Sequence, residues 1–435
     1  MKAPKSLRLH IGIFGRRNVG KSSLLNALTR QQVSIVSDVA GTTTDPVEKP
    51  MELLPLGSVL FIDTAGVDDV GALGEMRVEK TRKVLERTDV GVVVAEDGKW
   101  DSFEQAMVDE LTKRGVPAIV VFNKSDLAER PENRDATAAS PTQPLGGSVP
   151  SFPDATAELE RRLQDAGVRV VRTVAPQREG ILALREALIA SAPEEFVNPP
   201  TIIGDLLPSG GLAVLVVPID KEAPRGRLIQ PQVQTIRDLL DNDAYCMVVK
   251  ERELRDALLR LNRKPDIVVT DSQAFLKVAG DTPPDVKLTS FSILFARFKG
   301  DLVEMVRGAT AIEHLKPGDR VLIAESCSHH PIGDDIGRVK IPRWLTQYVG
   351  GKLEFVTHQG HDFPEDVSQF KLVIHCGACM TNRRAVLNRV ARCREQGVPI
   401  TNYGLSIAYS LGIFERALEP FPAALDAYRG QTNRR

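Results

Sequence analysis

Apolar residues fall along this chain in short blocks with the spacing of strands followed by helices. Leu9-His10-Ile11-Gly12-Ile13-Phe14 is a run of strand length, and Ser23-Leu24-Leu25-Asn26-Ala27-Leu28 begins a helix after it. Val59-Leu60-Phe61-Ile62, Ile119-Val120-Val121-Phe122 and Val168-Arg169-Val170-Val171-Arg172 repeat the strand pattern, and a helix from Gly180 to about Ala190 closes the first block. Prolines punctuate 193–208, which reads as a linker. Beyond it strands are expected at 212–217, 244–249 and 266–270, with helices at 230–240, 251–261 and 272–278 between them. A long helical pattern then carries Phe291, Leu294, Phe295, Phe298, Leu302, Met305 and Val306, as core or interface. Further strands are expected at 320–325, 353–356 and 371–374. Strands separated by helices predict an α/β fold of mainly parallel sheets, in three domains at 1–195, 196–285 and 286–435. An Ala/Pro/Ser/Thr-rich stretch at 129–154 is expected to be a poorly ordered insertion.

The chain has 435 residues, more than one core accommodates. It is 42% hydrophobic and 26% charged, with a net charge of −1, so nothing in its overall charge favours nucleic acid. No run of about 18 apolar residues offers a membrane span. The N-terminus lacks a signal-peptide h-region, and the expected location is cytoplasmic. Five cysteines in this length do not make a disulfide framework. Beside histidines they suit a metal in a reducing compartment.

The first block carries Gly15-Arg16-Arg17-Asn18-Val19-Gly20-Lys21-Ser22, a GxxxxGK[ST] loop between a strand and a helix. Backbone N–H groups of such a loop close around phosphates, and the helix N-terminus adds positive potential. Gly15, Asn18, Gly20, Lys21, Ser22 and Ser23 are therefore candidate nucleotide contacts. Lys21 is placed on the β- and γ-phosphates and Ser22 on Mg²⁺. Asp63-Thr64-Ala65-Gly66 ends the second strand. Asp63 is the candidate for holding Mg²⁺ through water, and Gly66 for sensing the γ-phosphate. Asn123-Lys124-Ser125-Asp126 ends another strand in the NKxD pattern, whose Asp126 accepts from the ring N–H and amino group of guanine. Three ordered motifs on strand ends make GTP the expected nucleotide. Thr43 is the candidate switch threonine for Mg²⁺, with Thr42 and Thr44 as rivals. Thr173-Val174-Ala175 is a weak match to a base-contacting loop. Catalysis is thus assigned to Lys21, Thr43, Asp63 and Gly66.

This pattern resembles the TrmE–Era–EngA branch of GTPases. Val67 stands after DTAG, where signalling GTPases carry glutamine. Asn18 stands where potassium-stimulated members of that branch place a K⁺ ligand, so potassium stimulation is expected. The alternative for Asn18 is a loop residue bonding its own backbone.

The last block holds Cys327-Ser328-His329 and His375-Cys376-Gly377-Ala378-Cys379, each just past the end of an expected strand, where open α/β sheets bind ligands. A helix starting near Asn382 adds positive potential beside Cys376 and Cys379. Such a set suits a closed structural zinc site or an iron–sulfur cluster on three cysteines. Cys246 and Cys393 read as core residues.

A GTPase head joined to Cys327-Ser328-His329-His330-Pro331-Ile332-Gly333-Asp334-Asp335-Ile336-Gly337-Arg338-Val339-Lys340-Ile341-Pro342 and to His375-Cys376-Gly377-Ala378-Cys379 resembles the HydF family of [FeFe]-hydrogenase maturation GTPases over nearly the whole chain. The resemblance implies a [4Fe–4S] cluster on Cys327, Cys376 and Cys379. Its fourth iron would be labile, with His329 and His375 the first candidate ligands and Asp334 or Asp335 also within reach. It implies a scaffold and carrier for the diiron subcluster precursor, received through two radical-SAM maturases and delivered to apo-[FeFe]-hydrogenase. Arg338, Lys340 and Arg343 are candidate holders of that anionic cargo. The middle domain is expected to self-associate, giving a homodimer or higher. The competing class is a ribosome- or RNA-associated GTPase with a structural zinc domain, which the neutral charge and the lack of a basic–aromatic patch disfavour.

Overall fold

The computed structural model describes residues 4–29, 46–64, 72–128, 152–218, 228–326, 335–360 and 362–432. These form two compact units, essentially Leu7–Pro199 and Pro200–Arg435.

The first unit is built on strands β1 (Leu9–Phe14), β2 (Val47–Leu53), β3 (Gly57–Asp63), β4 (Val90–Glu96), β5 (Ala118–Asn123) and β6 (Arg169–Thr173). They form one sheet in the order β2-β3-β1-β4-β5-β6. All neighbours run parallel except β2, which pairs antiparallel with β3 at the edge. β1 and β5 are buried along their whole length, as strands covered on both faces must be, and this is why they read as continuous apolar runs. One face packs Ile11, Ile13, Leu24 and Leu25, and the other packs Phe14, Leu60, Ile62 and Leu111. β2 was not expected from the sequence. Its Val-Glu-Lys-Pro-Met-Glu-Leu reads as surface, and Pro50 is tolerated there because the strand is an edge.

The second unit carries two four-stranded sheets. Strands β7 (Leu212–Val216), β8 (Tyr245–Val249), β9 (Ile267–Thr270) and β10 (Lys287–Ser290) lie in the order β10-β9-β7-β8. Strands β11 (Arg320–Glu325), β12 (Glu354–Gln359), β13 (Leu372–His375) and β14 (Ile400–Asn402) lie in the order β12-β11-β13-β14. Every pairing in both is parallel. The two sheets share one apolar core that runs from Ile202 to Ala424.

The long helical pattern after 290 is two helices, Phe291–Lys299 and Leu302–Ala309. Gly300 is extended (φ −122°, ψ −153°) and ends the first. The Asp301 side chain accepts from the Glu304 N–H and starts the second. The apolar spacing survives the break because Leu302, Met305 and Val306 stay buried. Among the described residues no helix is long and apolar enough to cross a membrane.

Candidate functional site

At the carboxyl end of β1 the chain turns through Gly15–Gly20 into the helix Lys21–Thr29. Gly15 has φ +146°, and a Cβ there would lie 2.3 Å from the Val94 carbonyl oxygen, so the loop admits only glycine. Asn18, exposed on the loop, is left-handed (φ 62°). Lys21 is buried, and its Nζ donates to the carbonyls of Gly15 (2.9 Å) and Arg16 (2.6 Å). Ser23 follows on the first turn of the helix, half-buried. Ser22 Oγ donates to Asp63 Oδ2 at 2.8 Å, which ties the helix start to the end of β3. Asp63 Oδ1 is buried with no hydrogen-bond partner. Burial raises the Asp63 carboxyl above its usual range, while Lys21 and Ser22 pull it back down. A buried carboxylate held by a hydroxyl, with one oxygen orphaned, is a donor set suited to Mg²⁺. Thr42, Thr43, Thr44, Gly66 and Val67 lie outside the described residues.

Asn123 ends β5 and is 1% exposed. Its Nδ2 donates to the Val19 carbonyl at 2.9 Å. Its Oδ1 accepts from Thr173 Oγ1 at 3.0 Å and from the Ala175 N–H at 3.2 Å. One side chain therefore pins the phosphate loop to the segment after β6. A Cβ on Gly20 would lie 2.2 Å from Asn123 Nδ2, which explains the second glycine. Lys124 is left-handed (φ 60°) and donates from Nζ to Glu96 Oε2 at 3.2 Å. Asp126 lies half-buried in the first turn of the short helix Ser125–Ala128. Thr173-Val174-Ala175, weak as a motif, is held against this corner by Asn123.

In the second unit β13 ends at His375, and the Cys376 N–H donates to the Ala324 carbonyl of β11 at 2.9 Å. The Ser326 N–H donates to Cys376 Sγ at 3.1 Å, and the Ala378 N–H reaches the same sulfur at 3.5 Å. Ser326 immediately precedes Cys327 in sequence. Ala378 is left-handed (φ 54°), so the Cys376–Cys379 turn folds back on itself. Burial pushes the Cys379 thiol up to about 11, Cys376 adds to this, and Lys299 opposes it. The helix Arg383–Glu395 follows directly, with Asn382 as its N-cap. Two free thiols at the carboxyl edge of a parallel sheet, with N–H donors aimed at one sulfur, fit a thiolate-held metal or cluster. Cys327, His329, His330 and Asp334 lie outside the described residues, and within the described ones no group of three metal-binding side chains assembles.

Both ring nitrogens of His375, one of the two candidate histidine ligands, are engaged within the protein. The residue is 1% exposed, its Nδ1 donates to the Cys376 carbonyl at 2.7 Å, and its Nε2 accepts from Arg389 at 2.9 Å. These partners set the tautomer, with Nδ1 protonated and Nε2 accepting. Burial, then the Arg389 charge, lowers its pKa to about 3, so the ring stays neutral. Asp335 is buried, and its Oδ1 accepts from the Arg338 N–H at 2.7 Å. Buried Glu325 accepts from Gln359 Nε2 at 3.0 Å and lies 3.6 Å from the Arg338 guanidinium. Lys340 Nζ donates to Gln273. Cys393 is fully buried and Cys246 half-buried, both in or against the apolar core.

Sequence reasoning missed Lys299 and Arg389. Lys299 is 1% exposed, and its Nζ donates to the carbonyls of Ala378 (3.1 Å) and Thr381 (2.6 Å). Burial lowers its pKa to about 7, and the Cys379 and Cys376 thiols push the other way. The signal was in the spacing: Phe291, Phe295 and Lys299 fall four residues apart on one helical face, and that face is buried.

Phosphate loop, Ser–Asp pair and asparagine lock on a mainly parallel sheet define a P-loop GTPase domain. It is followed in sequence by an α/β unit of two sheets with a two-thiol turn at the carboxyl end of one of them. Three family models match in succession: a 50S ribosome-binding GTPase model over residues 10–124, a hydrogen maturase F dimerization domain over 202–300, and a hydrogen maturase F tetramerization domain over 303–420. The chain belongs to the HydF family of hydrogenase maturases, and two of its matched regions are oligomerization domains. Curated relatives match less than a third of the chain. GTPase Der of Wolinella succinogenes is 40% identical over 133 residues, 30% of this chain and 28% of that protein. The tRNA modification GTPase MnmE of Heliobacterium modesticaldum is 44% identical over 121 residues, 27% of this chain and 25% of that one. The chain thus spans little more than a quarter of the length of these relatives. Among solved structures, Aquifex aeolicus Era aligns at 17% identity and a TM-score of 0.34, over 63% of this chain and 99% of that one.

Proposed function

We propose that this chain hydrolyses GTP in its first unit and holds a [4Fe–4S] cluster in its second, and that it carries the diiron subcluster precursor to apo-[FeFe]-hydrogenase. The cargo would arrive through two radical-SAM maturases. The observation that supports this most is the pairing of a GTPase domain with both hydrogen maturase F domains in one chain.

Lys21 would trade its bonds to the Gly15 and Arg16 carbonyls for the β- and γ-phosphate oxygens. Ser22 and the orphaned Asp63 oxygen would take Mg²⁺, directly and through water. Asp126 would read guanine from a corner that Asn123 holds rigid. Thr43 and Gly66 would answer to the γ-phosphate, and Asn18 would ligate K⁺. Cys376 and Cys379, with Cys327, would hold three irons. When bound, the cluster supplies one exchangeable iron and a polarisable anionic surface. With both His375 nitrogens engaged, His329 remains the histidine candidate for that fourth corner. Arg338, Lys340 and Arg343 lie in the segment that would meet an anionic cargo, and GTP turnover would time partner exchange.

The test is anaerobic reconstitution of the full chain with iron and sulfide. Wild type should turn brown with broad absorption near ~400 nm. Cys376→Ala should lose the colour and keep GTP hydrolysis. A colourless wild type holding one zinc, or a variant that loses hydrolysis as well, refutes the reading.

A further inference from the structure

A lysine ammonium enters an apolar core at a cost unless hydrogen bonds and an opposite charge compensate it. Lys299 is 1% exposed, and it enters the core beneath the Cys376–Cys379 turn. Two of its three protons go to the carbonyls of Ala378 and Thr381. The Phe295 ring centroid lies 6.0 Å from its Nζ. Among the described residues no carboxylate forms an ion pair with it. An anionic cluster on the Cys376–Cys379 turn that Lys299 holds would compensate this ammonium. The turn itself needs a tether as well, because Ala378 sits in the left-handed region and its carbonyl must be held inward.

We propose that Lys299 is a positioning residue of the cluster site: it anchors the Ala378 and Thr381 carbonyls so that the two sulfurs share one side of the turn, and its positive charge offsets that of the bound cluster. The inference rests on the cluster reading given above. It adds that the site is not self-contained. Lys299 ends the helix Phe291–Lys299, which lies inside the stretch matched by the dimerization model (202–300), whereas both sulfurs of the turn lie inside the tetramerization match (303–420). Ser292 of the same helix reinforces the link, since its Oγ accepts from the Gly404 N–H at 3.0 Å and its carbonyl from Asn402 Nδ2 at 2.7 Å. The cluster turn is therefore gripped from the preceding domain.

The test compares wild type, Lys299→Met and Lys299→Arg as full chains, reconstituted anaerobically. Iron per chain, the melting curve and the cluster's reduction potential by EPR-monitored titration are read for each. Methionine keeps the length and apolar stem but removes the charge and both donors. Reduction adds negative charge to the cluster, so loss of Lys299 should disfavour the reduced form. Lys299→Met should shift the reduction equilibrium at least tenfold toward the oxidised form, 59 mV for a one-electron couple. Lys299→Arg should restore the wild-type potential. A Lys299→Met chain that loads iron and keeps the wild-type potential overturns the proposal. Should Lys299→Met not fold, Lys299→Arg decides: a wild-type potential supports the assignment, and a tenfold displacement overturns it. A wild-type chain that takes up no cluster overturns the cluster reading and this proposal together.

Discussion

Asn123 sits in a motif that reads as a base contact, yet its side chain is spent inside the protein. Asn123→Ala removes three buried hydrogen bonds, to the Val19 carbonyl, the Thr173 hydroxyl and the Ala175 N–H. Each is worth about 1 kcal/mol net, and the partners left behind in the core raise the total to about 3–5 kcal/mol. For a domain of this size each kcal/mol lowers the melting temperature by about 2–4 °C, so the first unit should melt roughly 6–20 °C lower without nucleotide. Calorimetry on the full chain identifies the relevant transition as the one that added GDP and Mg²⁺ raise. Nucleotide affinity, followed with a fluorescent GDP analogue, should fall alongside, because the phosphate loop and the Thr173–Ala175 segment lose their common anchor. A variant that binds nucleotide poorly but melts like wild type without it would refute the reasoning, since Asn123 would then act through the ligand and not through the loops.

Two further outcomes are expected. His375→Ala removes an acceptor from Arg389 and a donor from the Cys376 carbonyl, so the second unit should lose about 2–4 kcal/mol of stability; iron per folded chain should stay at the wild-type level, and iron loss at unchanged stability would make His375 a ligand after all. GTP hydrolysis at constant ionic strength should run faster in K⁺ than in Na⁺, and Asn18→Ala should erase the difference; equal rates in the two salts for wild type would remove Asn18 from the cation site.

Much of the fold was legible because parallel strands buried on both faces write themselves as apolar runs. β1 and β5 run over the stretches read from the sequence, and β7, β8 and β9 fall within a residue or so of theirs. The elements that escaped lack that signature. β2 is polar and carries a proline, β10 and β14 are four and three residues long, and the break at Gly300–Asp301 hides inside an unbroken apolar period. The phosphate loop was legible because its chemistry is local: glycines, a lysine and a serine at fixed spacing. The other supports were not, because they are long-range. Asn123 reaches Val19 across the sheet, Arg389 reaches His375 from the following helix, and Lys299 reaches Ala378 from 79 residues upstream. Lysine is read as solvated by default, and only its place on the buried face of an apolar helix marks this one as an exception.

The central claim is that the chain carries a diiron unit on a cluster-bearing domain and gives it up to the hydrogenase. It is tested most directly by purifying the chain anaerobically from cells that also make the two radical-SAM maturases, mixing it with apo-[FeFe]-hydrogenase, and measuring hydrogen evolution. Wild type should activate the apo-enzyme in proportion to the chain added, and the Cys376→Ala chain should not. Hydrogen evolution from the Cys376→Ala chain equal to wild type, or none from an iron-loaded wild type, would contradict the account.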